Sequence, residues 1–212
     1  INPDHLLAAL DFPRAFKSDY ELQCLRVASH LGAQGHRAAA AAFADGASEF
    51  EIALAFMRAA GQREKELPYN PIIALNQNAA VLHYQVQEKS PPAVRYSLLI
   101  DAGCEFAGYA SDITRTYAYA DAEFRALIAA FDELQQKLCK QVRAGVEWAD
   151  IHAQSHLAIA GWLQDSGLVR SQPETTVASG LSAVFYPHGI GHLLGLQVHD
   201  AGGTLGGPDG HE

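Results

Sequence analysis

Apolar positions recur at helical spacing over residues 19–43, where Tyr20, Leu22, Leu25, Val27 and Leu31 lead into an alanine run at 38–42. The pattern predicts a long amphipathic helix. Gly46 is placed to stop it, Ser48 to cap a second helix, and Glu51 to reach back to Ser48 as a capping box. That second helix runs through Ile52, Leu54, Phe56 and Met57 to Gly61. Beyond Pro68 and Pro71 the apolar runs shorten. Segments 72–75, 80–85 and 97–101 are bounded by Asn, Pro or charge, as strands are.

The order then repeats. Phe124, Leu127, Ile128, Phe131, Leu134, Leu138 and Val142 trace another helical stripe, which Gly145 is expected to end, and a further helix follows to Leu163. Gly145, Asp150 and Ile151 stand 99 residues after Gly46, Glu51 and Ile52. Two helix pairs, each leading into strands, predict an α/β (α+β) domain of two pseudo-symmetric halves, about 17–118 and 119–212, with no low-complexity linker between them.

A chain of 212 residues, 49% hydrophobic, is long enough for one well-packed core. Its net charge of −9, from 15 basic against 24 acidic residues, argues against nucleic acid or an anionic membrane as partner and favours a small polar or zwitterionic ligand. Cys24, Cys104 and Cys139 are odd in number and lack any CxxC spacing, so neither a disulfide framework nor a thiolate metal site is expected, and a reducing cytoplasm is the predicted location. No apolar run reaches the roughly 18 residues of a membrane span. The opening Ile1-Asn2-Pro3-Asp4 has neither the pattern of a secretion signal nor an initiator methionine, the expectation being a processed or domain-level piece.

Candidate chemistry concentrates in two places. Leu98-Leu99-Ile100-Asp101-Ala102-Gly103 ends an apolar run in an acid, and Asp112 follows eleven residues later in Tyr109-Ala110-Ser111-Asp112-Ile113-Thr114. A hairpin turning around Phe106-Ala107 would set the two aspartates directly opposite, about 5 Å apart. Bare carboxylates at that separation repel by about 3 kcal/mol at an effective dielectric of about 20. A shared proton, a base such as Arg115 or divalent metal ions could relieve them. Arg115, three residues from Asp112, would point to the opposite face of a strand.

The second place is Tyr186-Pro187-His188-Gly189-Ile190-Gly191-His192, continuing to Leu194-Gly195-Leu196-Gln197-Val198-His199-Asp200. His188 and His192 have the spacing of a zinc-binding helix, but Pro187 and the glycines oppose a helix, and an extended strand would put both rings on one face. His199 reaches the same place only across a bend. His83, a polar ring in the apolar stretch 79–84, carries no assignment of its own, and His5, His30, His36, His152, His156 and His211 read as ordinary core or surface groups.

Together with Pro68-Tyr69, Ile73-Ala74-Leu75-Asn76 and Ala79-Ala80-Val81-Leu82-His83-Tyr84, these motifs resemble the pita-bread metallopeptidases (the creatinase/aminopeptidase fold), and within them the prolidase or Xaa-Pro dipeptidase branch. The resemblance covers nearly the whole chain. It implies a duplicated fold, Asp101 as a terminal or bidentate metal ligand, Asp112 as a bridging one and His192 as an imidazole ligand. It also implies that His188, His199 and His83 line the substrate pocket and assist the reaction. Two divalent ions are implied, Mn²⁺ first, with Co²⁺ or Zn²⁺ as alternatives. The implied reaction is hydrolysis of dipeptides ending in proline by a hydroxide bridging the metals, in a homodimer. The alternatives are aminopeptidase P-type cleavage of longer Xaa-Pro peptides and a metal-free module that binds peptides or proteins.

Members of that family complete their site with two glutamates on later strands. This chain stops at Gly210-His211-Glu212, and Glu212 follows a Gly/Pro-rich stretch that reads as a loop rather than as a ligand strand. The expectation is that the C-terminal strands, two ligands and an amino-terminal domain are missing, and that the isolated chain binds metal weakly and is nearly inactive.

Overall fold

The structure, a computed structural model, describes residues 3–210; Ile1, Asn2, His211 and Glu212 lie outside the described residues. The chain forms two compact units. Unit 1 takes the residues up to Ala120 together with those from His192 onward, and unit 2 is Asp121–Gly191.

Unit 1 opens with α1 (Asp4–Asp11) and a short 3-10 segment, Phe12–Ala15. The next helices, α2 (Asp19–Asp45) and α3 (Glu49–Ala60), each begin with a reciprocal box. Ser18 pairs with Glu21 and Ser48 with Glu51, and Gly46 ends α2 in the left-handed region, as the sequence pattern predicts. The buried face of α2 differs from the expected stripe. Tyr20 and Leu22 are exposed, and the face turned inward is Cys24, Ala28, Gly32, Gly35, His36, Ala39 and Phe43. Small residues win there because other elements approach the helix closely: a Cβ at Gly32 would stand 3.1 Å from both Ser111 Oγ and Ile113 Cδ1.

Three antiparallel strands, in the order β1 (Ile72–Leu75), β2 (Ser97–Asp101) and β5 (Thr114–Ala118), form the main sheet. Ile52 and Phe56 of α3 share a buried core with Ile73, Leu98 and Ile100. Each such side chain contributes about 1.5–3 kcal/mol by leaving water. Between β2 and β5 the chain makes a hairpin of β3 (Glu105–Phe106) and β4 (Tyr109–Ala110). Its two-residue turn is Ala107-Gly108, with φ of 52° and 86°. Positive φ at both positions marks a type I′ turn, whose twist suits a hairpin but strains a residue with a Cβ. Ala107→Gly is therefore expected to add about 0.5–1 kcal/mol of stability, the αL cost of about 1–2 less the chain entropy glycine brings. A urea midpoint that stays put or falls would count against the strained turn.

The expected strand at 80–85 is not formed. Asn76–Ala80 make a 3-10 turn and the following residues are irregular. The reason is a tertiary anchor. Buried Glu49, the first residue of α3, accepts hydrogen bonds from Leu75 N–H (2.8 Å), Asn78 Nδ2 (2.9 Å), Tyr84 OH (2.7 Å) and Glu88 N–H (2.8 Å), and these gather the segment around one carboxylate.

Unit 2 is helical: α4 (Ala122–Cys139), α5 (Trp148–Asp165), α6 (Pro173–Ala178) and α7 (Leu181–Phe185). Ile159, Leu163 and Val169 are buried together, with Leu134 and Trp162 packed against them. The apolar period of α4 overruns the helix, which ends at Cys139 rather than at Gly145 and leaves Val142 exposed. His152 and His156, meeting edge to face near Tyr186, are partly buried packing groups. No helix among the described residues is long and apolar enough to cross a membrane.

Candidate metal site

The expected hairpin exists, but its register is displaced by two residues. Asp101 stands opposite Thr114, not Asp112, and the ladder continues through Ala102 N–H to Ile113 O (3.1 Å) and Ser111 N–H to Cys104 O (2.8 Å). The turn falls one position later than expected, at Ala107-Gly108, because that pair takes the I′ geometry. An even displacement leaves each side chain on its face, so Asp101 and Asp112 are diagonal neighbours rather than partners. The residue opposite Asp112 is Gly103. A Cβ there would stand 2.9 Å from the Tyr69 ring and 1.8 Å from Ser111 O, so the absent side chain is what admits Tyr69.

Tyr69, quoted in the sequence motif but given no role, is the group the sequence reading missed. Its hydroxyl lies 2.7 Å from Asp101 Oδ1 and 2.9 Å from Asp112 Oδ1. A phenol has one proton and can donate to only one of them at a time. Burial first, and then the neighbouring Asp112 charge, push the Asp101 carboxyl above the usual range, against the opposing hydrogen bonds from Tyr69 and Thr114. Burial and the two aspartates push the Tyr69 phenol well up, so it stays a donor.

His192 also faces two acceptors. Its Nδ1 lies 3.0 Å from Leu193 O and its Nε2 3.1 Å from Asp112 Oδ2. A neutral imidazole carries a single N–H, which can serve one of these two acceptors. A cation between Nε2 and Asp112 would serve the other, leaving Nδ1–H on the carbonyl in the arrangement common for metal-bound histidine. His199 joins them: its ring centroid is 3.9 Å from that of His192, and Asp112, His192 and His199 each offer a ligand atom within 4.8 Å of the others. Asp112 thus meets the Tyr69 hydroxyl through one oxygen and His192 through the other, and this set of carboxylates and imidazoles fits a divalent cation.

The site faces a cleft of about 700 Å³ whose walls include Tyr69, His83, Asp101, Asp112, Gln197 and His199. Tyr84, next to His83 in sequence, donates to buried Glu49 (2.7 Å). The hairpin is tied to α2 three times: Ser111 Oγ donates to Ala28 O (3.1 Å), Tyr109 OH donates to Glu21 Oε1 (3.1 Å), and buried His36 donates from Nε2 to Ala102 O (3.1 Å), beside Asp101. His188 and His192 do not share a strand. The stretch is irregular, as its proline and glycines allow, and the two residues fall in different compact units, with His188 exposed in unit 2.

His36 makes the fold sensitive to acid. Burial, aided by the Arg115 charge, lowers its pKa below 6.5 despite hydrogen bonds to the Ala102 and Ile113 backbone, and its Nδ1 is buried without a partner. Below about pH 6.5 the unfolded chain takes up a proton that the folded ring resists, so this contribution is present above that pH and is lost on acidification. Between about pH 7.5 and 5.5 the wild type should lose more unfolding free energy than His36→Gln. Equal losses in the two proteins would remove His36 as the cause.

The profile described as metallopeptidase family M24 matches residues 23–211. The Xaa-Pro dipeptidase of Xanthomonas campestris pv. campestris (strain B100) is 50% identical over 219 residues, covering 99% of this chain and 50% of that protein. That of Shewanella amazonensis is 49% identical, covering 95% of this chain and 46% of that protein. The chain thus spans about half the length of the curated relatives it matches. Zinc-substituted E. coli aminopeptidase P in complex with product superposes with a TM-score of 0.84 at 27% identity, over 92% of this chain and 45% of that one. The same enzyme with the inhibitor Pro-Leu gives the same values. The α/β architecture is therefore the pita-bread one of aminopeptidase P, and the chain belongs to metallopeptidase family M24.

Proposed function

We propose that this chain carries the metal-binding face of an Xaa-Pro dipeptidase, acting with two divalent ions on dipeptides that end in proline. The observation that carries the reading is the placing of Asp112 between Tyr69 and His192 on one side of an open cleft. Asp101, Asp112 and His192 are the proposed ligands, and His199 stands close enough to Asp112 and His192 to be a fourth. Divalent ions, when bound, supply an activated water at neutral pH and polarise the peptide carbonyl. The chain's own groups do the rest. Tyr69 orients the two carboxylates, His199 on the cleft wall can donate a hydrogen bond to the developing oxyanion, and His83 stands on another wall where substrate would lie. His188 is proposed as a further pocket group on the motif alone.

Mn²⁺ is the proposed metal, with Co²⁺ and Zn²⁺ as alternatives that an oxygen-rich site accepts. Three free cysteines support a reducing cytoplasm as the setting. The homodimer rests on the family resemblance. The helix pairs α2–α3 and α4–α5 are read as halves of one duplicated domain.

The likeness in fold to aminopeptidase P favours one second reading, cleavage of longer Xaa-Pro peptides. A protein of the relatives' full length carrying this sequence should release proline from Ala-Pro in the presence of Mn²⁺, lose that activity with EDTA, and leave Ala-Pro-Ala largely intact. Faster cleavage of the tripeptide would favour the second reading, and no metal-dependent cleavage of either would sink both.

A further inference from the structure

We propose that Asp200 is a positioning residue, held by Arg14 and Lys17, that closes the 192–200 loop so that His192 and His199 are presented together to Asp112. The inference rests on the metal reading above and names what holds two of its imidazoles. The Asp200 side chain is only 2% exposed, yet it is a carboxylate, and its charge is met from the other end of unit 1. Arg14 Nη2 donates to Oδ1 at 2.5 Å and Lys17 Nζ to Oδ2 at 2.8 Å, while Lys17 also donates to Arg14 O at 2.6 Å.

The same residue closes the loop from within. Asp200 N–H donates to Leu193 O (3.0 Å), the carbonyl that also receives His192 Nδ1 (3.0 Å). The carboxylate lies over Gly195, where a Cβ would come within 2.0 Å of Oδ2. Gly195 N–H donates to Gln197 O (3.1 Å), and Gly195 O accepts from Ala110 N–H (3.0 Å), two residues before Asp112. The loop has no regular secondary structure to hold it. Its shape depends on this buried charge and its two cations, and the histidines flank the closure at its start and end. A carboxylate placed behind the ligands in this way orients them without touching the metal.

The test compares, in a protein of the relatives' full length, wild type, Asp200→Asn and Lys17→Met by hydrogen exchange on metal-free protein and by Co²⁺ titration. In both variants exchange at the Gly195 and Asp200 amides should rise about tenfold or more while β2 amides stay protected. Co²⁺ affinity should fall about 10- to 100-fold. Lys17→Met keeps the question open to measurement should Asp200→Asn fail to fold. Unchanged loop exchange in Lys17→Met, or exchange that rises equally in β2, would overturn the proposal, since the clamp would then be either idle or merely part of global stability. If wild type takes up no Co²⁺, the metal reading falls, and the exchange data still decide the clamp.

Discussion

Gly103→Ala is expected to cost about 3 kcal/mol or more, enough to threaten folding of unit 1. The added methyl would sit 1.8 Å from Ser111 O and 2.9 Å from its carbonyl carbon, both backbone atoms that cannot swing aside as a side chain can. It would also meet Tyr69 Cε1 at 2.9 Å. The hairpin can escape only by opening between Ala102 and Ser111, which moves Asp112 away from Asp101 and expels the phenol that spans them. Chemical unfolding should show a large fall in midpoint, and any folded remainder should show weakened divalent-ion uptake. A variant as stable as wild type would mean that the close approach of the two strands at Gly103 is not what holds the aspartates.

The second large effect has opposite signs on two measurements. Asp112→Asn keeps the shape of the side chain but replaces one acceptor by an N–H donor. The amide oxygen can accept from Tyr69 while Nδ2 donates to His192 Nε2, which satisfies both ends of the residue and removes a charge beside Asp101. Metal-free protein should therefore be as stable as wild type or more so, by about 1 kcal/mol. Co²⁺ or Mn²⁺ affinity should fall on the order of 100-fold or more, because a charged ligand is lost. Thermal unfolding in EDTA and metal titration together separate this site from an ordinary hydrogen-bonded pair, for which the substitution would cost stability and change no affinity. An Asp112→Asn protein that is no less stable when empty but has lost its metal affinity would mark the carboxylate as serving a ligand rather than the fold.

Local features were legible in the amino-acid order because they are decided within one or two turns of chain. The Ser48–Glu51 box, the stop at Gly46, and strands β1 and β2 depend on neighbours in sequence, and the structure has them. The chemistry-bearing residues Asp101, Asp112, His192 and His199 could be singled out too, since clustered acids and imidazoles are uncommon without a purpose. Where they would meet was another matter. The turn at Ala107-Gly108 moved the register by two, and only parity preserved the shared face.

What the sequence determined by itself was the limits of α2 and α3, the strands β1 and β2, and the types of group available for chemistry. The tertiary structure alone decided which groups complete the site. Tyr69 reaches Asp101 and Asp112 from 32 and 43 residues away, Glu49 reshapes an apolar stretch that alone would read as a strand, and Asp200 finds Arg14 across 186 residues. Such contacts leave no periodicity, because their free energy comes from burying a carboxylate only where its counterpart already waits.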